Sequence, residues 1–211
     1  AKTYTEPKGI ESFKVYNEKD VSPAPNEDTR KVIEQFNEGR LVVNFLGHGS
    51  VSSMSGFLRG SFQRQNYNYI KPITNGERLP MVVAMSCLNG QYADPRFACL
   101  AEEMTVKRDG GAISYISSSE LALLTTNNFI NTQMFKAIFE EGRREPAKGL
   151  AAAKTSLYAQ TPGLLTSILG MNLIGDPAQK LAVPPEPDYT FAQAGVTLQG
   201  STVLTAGDSA T

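Results

Sequence analysis

The segment Met81–Gly90, with the sequence MVVAMSCLNG, constrains the fold of this 211-residue chain more than any other segment. Its first five residues are apolar and include β-branched Val82 and Val83, which predicts a strand buried on both faces, as in a parallel sheet. The apolar run stops at Ser86, and Asn89-Gly90 follows as a turn signal. Cys87 is therefore expected at the carboxyl end of a buried strand, where open α/β sheets bind their ligands.

A second segment, Leu41–Ser50 (LVVNFLGHGS), has the same pattern further upstream. Its predicted strand Leu41–Leu46 leads into Gly47-His48-Gly49, and His48 is the only histidine in the chain. We expect His48 and Cys87 to face one another across the carboxyl edge of the sheet. A cysteine alone in such a place is often an inert core thiol, and a histidine between glycines is often only a turn residue. Their joint occurrence at two strand ends favours a catalytic pair.

Strands and helical segments alternate along the rest of the chain. Helices are predicted from Asn26 or Asp28 to Glu38, from Asp94 to about Lys107, from Asn127 or Asn128 to Glu141, and from Pro146 to Gln160. Further strands are predicted at Ser12–Tyr16, at Ala112–Ile116 and, as a strand, a turn and a return strand, at Asn172–Val183. This alternation predicts an α/β fold with a mainly parallel sheet and helices on both faces.

The composition excludes several classes of function. Twenty basic and 21 acidic side chains give a net charge of −1, so no overall field attracts nucleic acid or an anionic membrane. No apolar run approaches the roughly 20 residues of a membrane-spanning helix. One histidine and two distant cysteines lack the ligand spacing of a zinc site, and no metal ligand is assigned. Cys87 and Cys99 are the only cysteines, and a disulfide between them is one alternative. Otherwise Cys99 is interpreted as a residue of the hydrophobic core.

Five motifs in a fixed order resemble the gingipain-like cysteine peptidases, a family with the caspase-like fold. They are NFLGHGS at Asn44–Ser50, MSCLNGQY at Met85–Tyr92, FACLAEEM at Phe97–Met104, GGAISYISSS at Gly110–Ser119 and NLIGDPAQKL at Asn172–Leu181. The resemblance covers about Ser12 to Val183. It implies a three-layer α/β/α sandwich and cleavage of peptide bonds.

The resemblance also implies roles for single residues. Cys87 would be the nucleophile that forms a thioester, and His48 would protonate the leaving amine and help to activate the hydrolytic water. The backbone N–H groups of Gly49 and Cys87 would form the oxyanion hole. The acidic partner of the histidine lies upstream in this family, and no residue is assigned to it. No cofactor is required by this chemistry. A structural calcium ion stays open as an alternative, for which the sequence carries no readable pattern.

Substrate recognition is expected at the loop Ser117–Leu124, which by resemblance borders the pocket for the residue before the cut bond. Ser118, Ser119 and Glu120 are the candidate substrate-binding residues. Glu120 could attract a basic side chain, or it could be a surface charge. The family also contains transpeptidases of cell-surface attachment that use the same thioester. An inactive surface or structural module of this fold and an intracellular caspase-like effector are the remaining alternatives.

The resemblance finally implies a domain organisation and a location. Residues 1–183 are expected to form the carboxyl-terminal portion of a caspase-like domain, followed at 184–211 by a proline-rich linker and a β-type tail. An upstream segment or a companion chain is expected to complete the domain on its amino-terminal side. The expected substrate is a protein or peptide, with neither nucleic acid nor a membrane span involved. The expected location is extracellular or on the cell surface, with the signal segment outside this chain.

Overall fold

The computed structural model describes residues 2–17, 26–60 and 68–183. The predicted linker and tail at 184–211 lie outside the described residues. The strands are β1 (Val42–Leu46), β2 (Gly49–Ser50), β3 (Ser53–Met54), β4 (Leu58–Arg59), β5 (Met81–Met85), β6 (Ser114–Ser118) and β7 (Met171–Gly175). The helices are α1 (Lys2–Thr5), α2 (Glu27–Glu38), α3 (Leu100–Thr105), α4 (Leu124–Phe135), α5 (Pro146–Gln160) and α6 (Leu165–Gly170). A π-helical turn, Lys136–Glu140, extends α4, and 3₁₀ turns lie at Glu6–Lys8 and Pro162–Leu164.

Among the described residues, the central sheet has four strands in the order β1–β5–β6–β7. β1, β5 and β6 are parallel, and β7 pairs antiparallel with β6. The register places Leu46 opposite Met85 and Ala84 opposite Ser117. The predicted α/β fold with a mainly parallel sheet is therefore confirmed.

β5 is the centre of the hydrophobic core, and all five of its side chains are at most 1% exposed. Met81, Val83 and Met85 face a core that includes residues of α4 and α5. Val82 and Ala84 face the opposite core, which includes residues of α2 and α3. Each fully buried valine or methionine side chain contributes about 1.5–3 kcal/mol to stability. This two-sided burial explains why the segment reads as an unbroken apolar run.

Two predicted helices have the expected positions. α2 begins where Asn26 accepts a hydrogen bond from the Thr29 N–H at 2.8 Å, and Gly39 follows its last residue. α5 runs from Pro146 to Gln160 as predicted, with proline in its first turn.

Other boundaries differ from the predictions. Ser12–Tyr16 does not form the predicted strand, because among the described residues no neighbouring strand pairs with it. The side chains of Phe13 and Tyr16 are exposed. The helix predicted from Asp94 begins only at Leu100. The Asp94 carboxylate binds the Arg96 side chain and N–H, whereas the Glu102 carboxylate accepts the Cys99 N–H at 2.8 Å and thereby caps the helix.

The carboxyl-terminal part of the sheet also differs from the prediction. β6 begins at Ser114 and ends at Ser118, later than the predicted Ala112–Ile116. The first strand of Asn172–Val183 forms as β7, but the return strand does not. Asp176 instead shapes a turn by accepting the Ala178 N–H at 2.8 Å, and Leu181 and Val183 pack into the core. Burial of these two apolar side chains holds the segment in place without any strand pairing.

Candidate active site

β1 and β5 carry the candidate catalytic residues to the same edge of the sheet. Leu46 pairs with Met85 in the parallel register, and His48 and Cys87 each follow two residues later. The Gly47 N–H extends the pairing towards the Met85 carbonyl, with an N–O distance of 3.5 Å. The expectation that both residues follow strand ends at one edge of the sheet agrees with this register, and the structure adds that the two strands are neighbours.

Gly49 lies directly against the backbone of the cysteine segment. A Cβ atom at this position would lie 2.6 Å from the Ser86 Oγ and 2.7 Å from the Cys87 carbonyl oxygen. Real Cβ atoms do not approach backbone oxygens this closely, so only glycine fits without displacement. The close approach brings the residue that follows His48 into van der Waals contact with Cys87.

We expect Gly49→Ala to push the histidine segment away from Cys87. Because the added methyl group meets the Cys87 carbonyl oxygen and the buried Ser86 side chain, whose hydroxyl is hydrogen-bonded to Asn89, it should lower the free energy of unfolding by about 1–3 kcal/mol. Urea denaturation measures this change. Gly163→Ala is a matched control, since a Cβ at Gly163 meets no atom within 4 Å and its φ is not positive. Equal unfolding midpoints for the wild type and Gly49→Ala would contradict the close packing.

The turn that carries Cys87 has a strained backbone. Leu88 has a φ of 61°, a left-handed conformation that side chains other than glycine adopt at a cost of about 1–3 kcal/mol. Two hydrogen bonds hold the turn against the end of β6 and the loop that follows it. The Leu88 N–H donates to the Glu120 carbonyl at 3.2 Å and the Gly90 N–H donates to the Ser118 carbonyl at 3.0 Å. The turn therefore presents Cys87 on a fixed backbone.

The Cys87 thiol is half-buried and contacts the peptide groups of Ala122. The Ala122 N–H donates to the sulfur at 3.4 Å, and the thiol donates to the Ala122 carbonyl at 3.6 Å. Both cysteines are free, so the disulfide left open by the sequence does not form. Cys99 is fully buried, and burial raises the pKa of its thiol to about 11. Cys99 thus stays protonated near neutral pH, whereas Cys87 is the accessible thiol.

His48 lies in an exposed position at the start of a small hairpin. Its carbonyl accepts the Ser55 N–H at 2.9 Å, and β2 and β3 pair through Gly49 with Met54 and Ser50 with Ser53. The hairpin tip is also held, because the Leu100 N–H donates to the Val51 carbonyl at 2.7 Å. The backbone that carries His48 is therefore fixed while its imidazole remains open to solvent.

The three candidate substrate-binding residues have different environments. Ser118 is buried, and its hydroxyl bonds the backbone carbonyl and N–H of Glu120 at 2.9 and 3.1 Å. The Ser119 hydroxyl donates to the Gly170 carbonyl at 3.1 Å. Glu120 is exposed, and among the described residues its carboxylate has no cationic partner. Ser118 thus shapes the loop, whereas Ser119 and Glu120 face solvent-accessible space.

That space is a cavity of about 330 Å³ beside the cysteine turn. It is lined by Tyr92, Ser119, Glu120, Leu165, Thr166, Leu169, Gly170 and Asn172. The sequence analysis did not identify its wall from α6, because this short helix has no clear periodic pattern. The signal in the sequence is limited to two leucines four positions apart, Leu165 and Leu169, which are exposed in the structure. The cavity combines apolar surface from Leu165 and Leu169 with several neutral polar side chains and one carboxylate.

Two observations bear on cofactors and membranes. Over residues 2–17, 26–60 and 68–183, the structure contains no group of three or more histidine, cysteine, aspartate or glutamate side chains arranged to hold a metal ion. Within the same ranges, none of the helices combines the length and the apolar character needed to cross a membrane.

Comparisons with known proteins agree with this arrangement. Gingipain R2 and gingipain R1 of Porphyromonas gingivalis are each 29% identical to the chain over 99 residues, which are 45% of this chain but only 12% and 9% of those proteins. The solved Arg-specific cysteine proteinase gingipain R superposes with a TM-score of 0.64 at 19% identity, over 74% of this chain and 36% of that one. The complex of RgpB pro- and mature domains gives a TM-score of 0.62.

These likenesses differ in what they establish. At 19% identity the structural match establishes a shared fold, and the chain spans little more than a third of that structure. The sequence match extends over a still smaller part of the curated relatives. The model of peptidase family C25, in contrast, matches residues 1–182. Because this match spans most of its length, the chain belongs to peptidase family C25.

Proposed function

We propose that the protein is a cysteine endopeptidase that cleaves peptide bonds through Cys87 and His48. The observation that carries this proposal is the parallel register of β1 and β5, which brings both residues to one edge, with Gly49 packed against the Cys87 backbone. Cys87 is partly accessible and His48 is exposed, so a peptide can reach both. An inactive module would need neither side chain.

The proposed reaction has two stages. The thiol proton passes to His48 while the Cys87 sulfur attacks the carbonyl carbon, and the carbonyl oxygen becomes an oxyanion. The C–N bond then breaks, His48 gives its proton to the leaving amine, and a thioester remains. In the second stage His48 takes a proton from water and the oxygen of that water attacks the thioester. The C–S bond then breaks, the carboxylic product leaves, and His48 returns the proton to the Cys87 sulfur.

The oxyanion is proposed to bind to the backbone N–H groups of Gly49 and Cys87. Close packing of Gly49 on the cysteine segment supports this assignment, since two N–H groups can converge on one oxygen only where their backbones lie close together. Donors fixed in place before the reaction stabilise the developing charge without reorganisation.

Labelling with a peptidyl chloromethyl ketone tests the proposed function. We expect the Cys87 sulfur to displace chloride and form a stable thioether, which peptide mass spectrometry locates. Cys99 should remain unlabelled, because it is fully buried and protonated. Labelling should depend on His48 and should block any hydrolysis of peptide substrates. Equal, slow labelling of both cysteines would contradict the proposed catalytic role of Cys87.

The cavity beside the cysteine turn is the proposed pocket for the residue before the cut bond. The Glu120 carbonyl binds the turn at Leu88, which joins the cavity wall to the nucleophile's own segment. Tyr92 and Leu169 offer apolar surface to the stem of a long side chain, and the Glu120 carboxylate offers a charge to its end. This combination fits arginine or lysine. Ser119 contributes to the wall, and Ser118 holds the loop in place.

We therefore expect Glu120→Gln to weaken a preference for basic residues before the cut bond. Because Glu120 is exposed, its charge should change the ratio of kcat/KM for basic and apolar substrates only roughly two- to five-fold. A peptide library measures this ratio. Glu140→Gln, which removes an exposed carboxylate from the π-helical turn after α4, serves as a charge-matched control. An unchanged profile for Glu120→Gln would remove this residue from the pocket.

The outer edge of β1 supports a proposal about partners. Within the described part of the chain, β1 pairs only with β5. We propose that residues 1–183 are one portion of a caspase-like domain and that another segment or a companion chain adds a strand to β1. An unpaired edge exposes backbone donors and acceptors, which a further strand would satisfy.

In the native protein, hydrogen exchange should then be slow at every amide of Val42–Leu46. Protection of only the amides that face β5 would contradict this.

We also propose that the protein acts on protein or peptide substrates outside the cell or at its surface. This proposal rests on the family membership and on the fold shared with gingipain R. Fractionation of the producing cells tests it. We expect the protein in the medium or on the surface, and recovery from the cytosol alone would contradict the proposal.

A further inference from the structure

Asn89 is a fully buried polar residue two positions after Cys87, with 0% of its surface exposed. The sequence analysis used it only as part of a turn signal. In the structure, its side chain lies between the turn that carries Cys87 and the hairpin that carries His48. Both polar atoms of this side chain have hydrogen-bond partners.

The amide nitrogen of Asn89 binds the hairpin. It donates to the Ser53 carbonyl at 2.8 Å and also to the Ser50 carbonyl. These two carbonyls belong to the residues that pair across the turn between β2 and β3. Both hydrogens of one NH₂ group are thus used to hold a hairpin located 36 and 39 positions away in the sequence.

The amide oxygen of Asn89 binds the other side. It accepts the Ser86 hydroxyl at 2.9 Å, and the Tyr115 hydroxyl lies 3.5 Å away. Ser86 immediately precedes Cys87, and Tyr115 belongs to β6. The Asn89 backbone is also held, because its carbonyl accepts the Ala101 N–H at 3.1 Å. Asn89 therefore connects the cysteine turn, the neighbouring strand and the histidine hairpin through one side chain.

We infer that Asn89 is a positioning residue that sets the distance between His48 and Cys87, an inference that rests on the proposed function. An asparagine side chain supplies two donors and an acceptor from one planar group. Aspartate would place a carboxylate against two carbonyl oxygens, and an apolar residue would leave those buried carbonyls without partners. Loss of the link should let the hairpin move relative to the thiol while leaving the sheet intact.

Alkylation of Cys87 by iodoacetamide at pH 6 tests this without a peptide substrate. An ordinary cysteine contains less than about one per cent thiolate at this pH and reacts slowly, whereas a histidine placed to accept the thiol proton as the sulfur attacks speeds the reaction. We expect Cys87 in the native protein to react at least roughly ten-fold faster than in His48→Ala. In Asn89→Ala, Cys87 should be alkylated as slowly as it is in His48→Ala. Mass spectrometry of the modified peptide separates Cys87 from Cys99.

A double-mutant cycle distinguishes positioning from local damage to the turn. If Asn89 acts through His48, then Asn89→Ala should have no further effect in the His48→Ala background. Additive losses would overturn the positioning role. Asn89→Ser keeps one hydrogen-bond donor, so Cys87 in this variant should be alkylated at an intermediate rate. If Asn89→Ala does not fold, Asn89→Ser replaces it in the double-mutant cycle.

Asn75 provides a control of the same chemistry. It is 2% exposed, its amide nitrogen donates to the Arg78 and Gly111 carbonyls at 2.8 and 3.1 Å, and its oxygen accepts the Gly111 N–H at 2.7 Å. It lies before β5 and β6, at the opposite edge of the sheet. Asn75→Ala should reduce thermal stability as Asn89→Ala does, but it should leave the alkylation rate of Cys87 unchanged.

The outcomes separate the two proposals. If native Cys87 reacts no faster than in His48→Ala, the proposed catalytic pair is wrong, and the positioning role falls with it. If native Cys87 reacts fast and Asn89→Ala retains that rate, the catalytic pair stands and the positioning role is wrong. Loss of the fast rate in Asn75→Ala as well would also overturn the role, because it would show a general effect of stability.

Discussion

Cys87→Ala should abolish peptide hydrolysis, because the proposed thioester has no other sulfur from which to form. Cys99 cannot substitute for it, since it is fully buried and its thiol is protonated near neutral pH. The fold should be retained: Cys87 is only half-buried and lies outside both hydrophobic cores. Cleavage of a fluorogenic peptide measures the activity, and circular dichroism checks the fold.

Cys99→Ala is the matched control for this prediction. It removes the other thiol from the hydrophobic core next to α3, so it should reduce stability by about 1 kcal/mol while leaving the cleavage rate intact. Hydrolysis at the wild-type rate by the Cys87→Ala protein would end the peptidase proposal.

His48→Ala should lower the rate of hydrolysis by roughly 10²–10⁴-fold, the usual contribution of a positioned acid–base group. The leaving amine would then depart without a proton donor, and the hydrolytic water would lack a base. The effect should appear mainly in kcat, because the exposed imidazole is proposed to act on the reacting atoms rather than to hold the substrate. Steady-state kinetics with a series of peptide concentrations separates kcat from KM.

Ser55→Ala tests whether the loss reflects the imidazole or the hairpin. Ser55 is exposed and lies in the same hairpin, and its backbone N–H, which binds the His48 carbonyl, is kept in the variant. Its kinetics should match those of the wild type. A similar loss in Ser55→Ala and His48→Ala would instead indicate that the hairpin, not the imidazole, controls the rate.

Local sequence patterns determined the central part of this fold. The apolar run Met81–Met85 predicted a buried strand with correct bounds, since burial on both faces excludes polar side chains at every position. The strand Leu41–Leu46 was correct to within one residue. The helix after Asn26 could be predicted because its cap and its apolar face are encoded within a dozen residues. Both catalytic candidates follow from these two strands.

Contacts between distant segments decided the rest. The sequence of Asn172–Val183 did not reveal that β7 runs antiparallel to β6 or that the return strand is absent, because strand pairing depends on the neighbour and not on the strand itself. The hairpin of β2 and β3 was also missed, since each strand is only two residues long and carries no alternating pattern.

The local details of the candidate site depend on tertiary structure for the same reason. Gly49 in the sequence is a flexible residue, and only the packed Ser86 side chain and Cys87 carbonyl leave no room for a side chain there. Asn89 in the sequence is a turn signal, whereas its buried hydrogen bonds join segments more than 30 residues apart. The sequence determined which residues reach the edge of the sheet, because that depends on local burial. The tertiary structure determined how they are held together, because a hydrogen bond requires partners that the chain brings near only after folding.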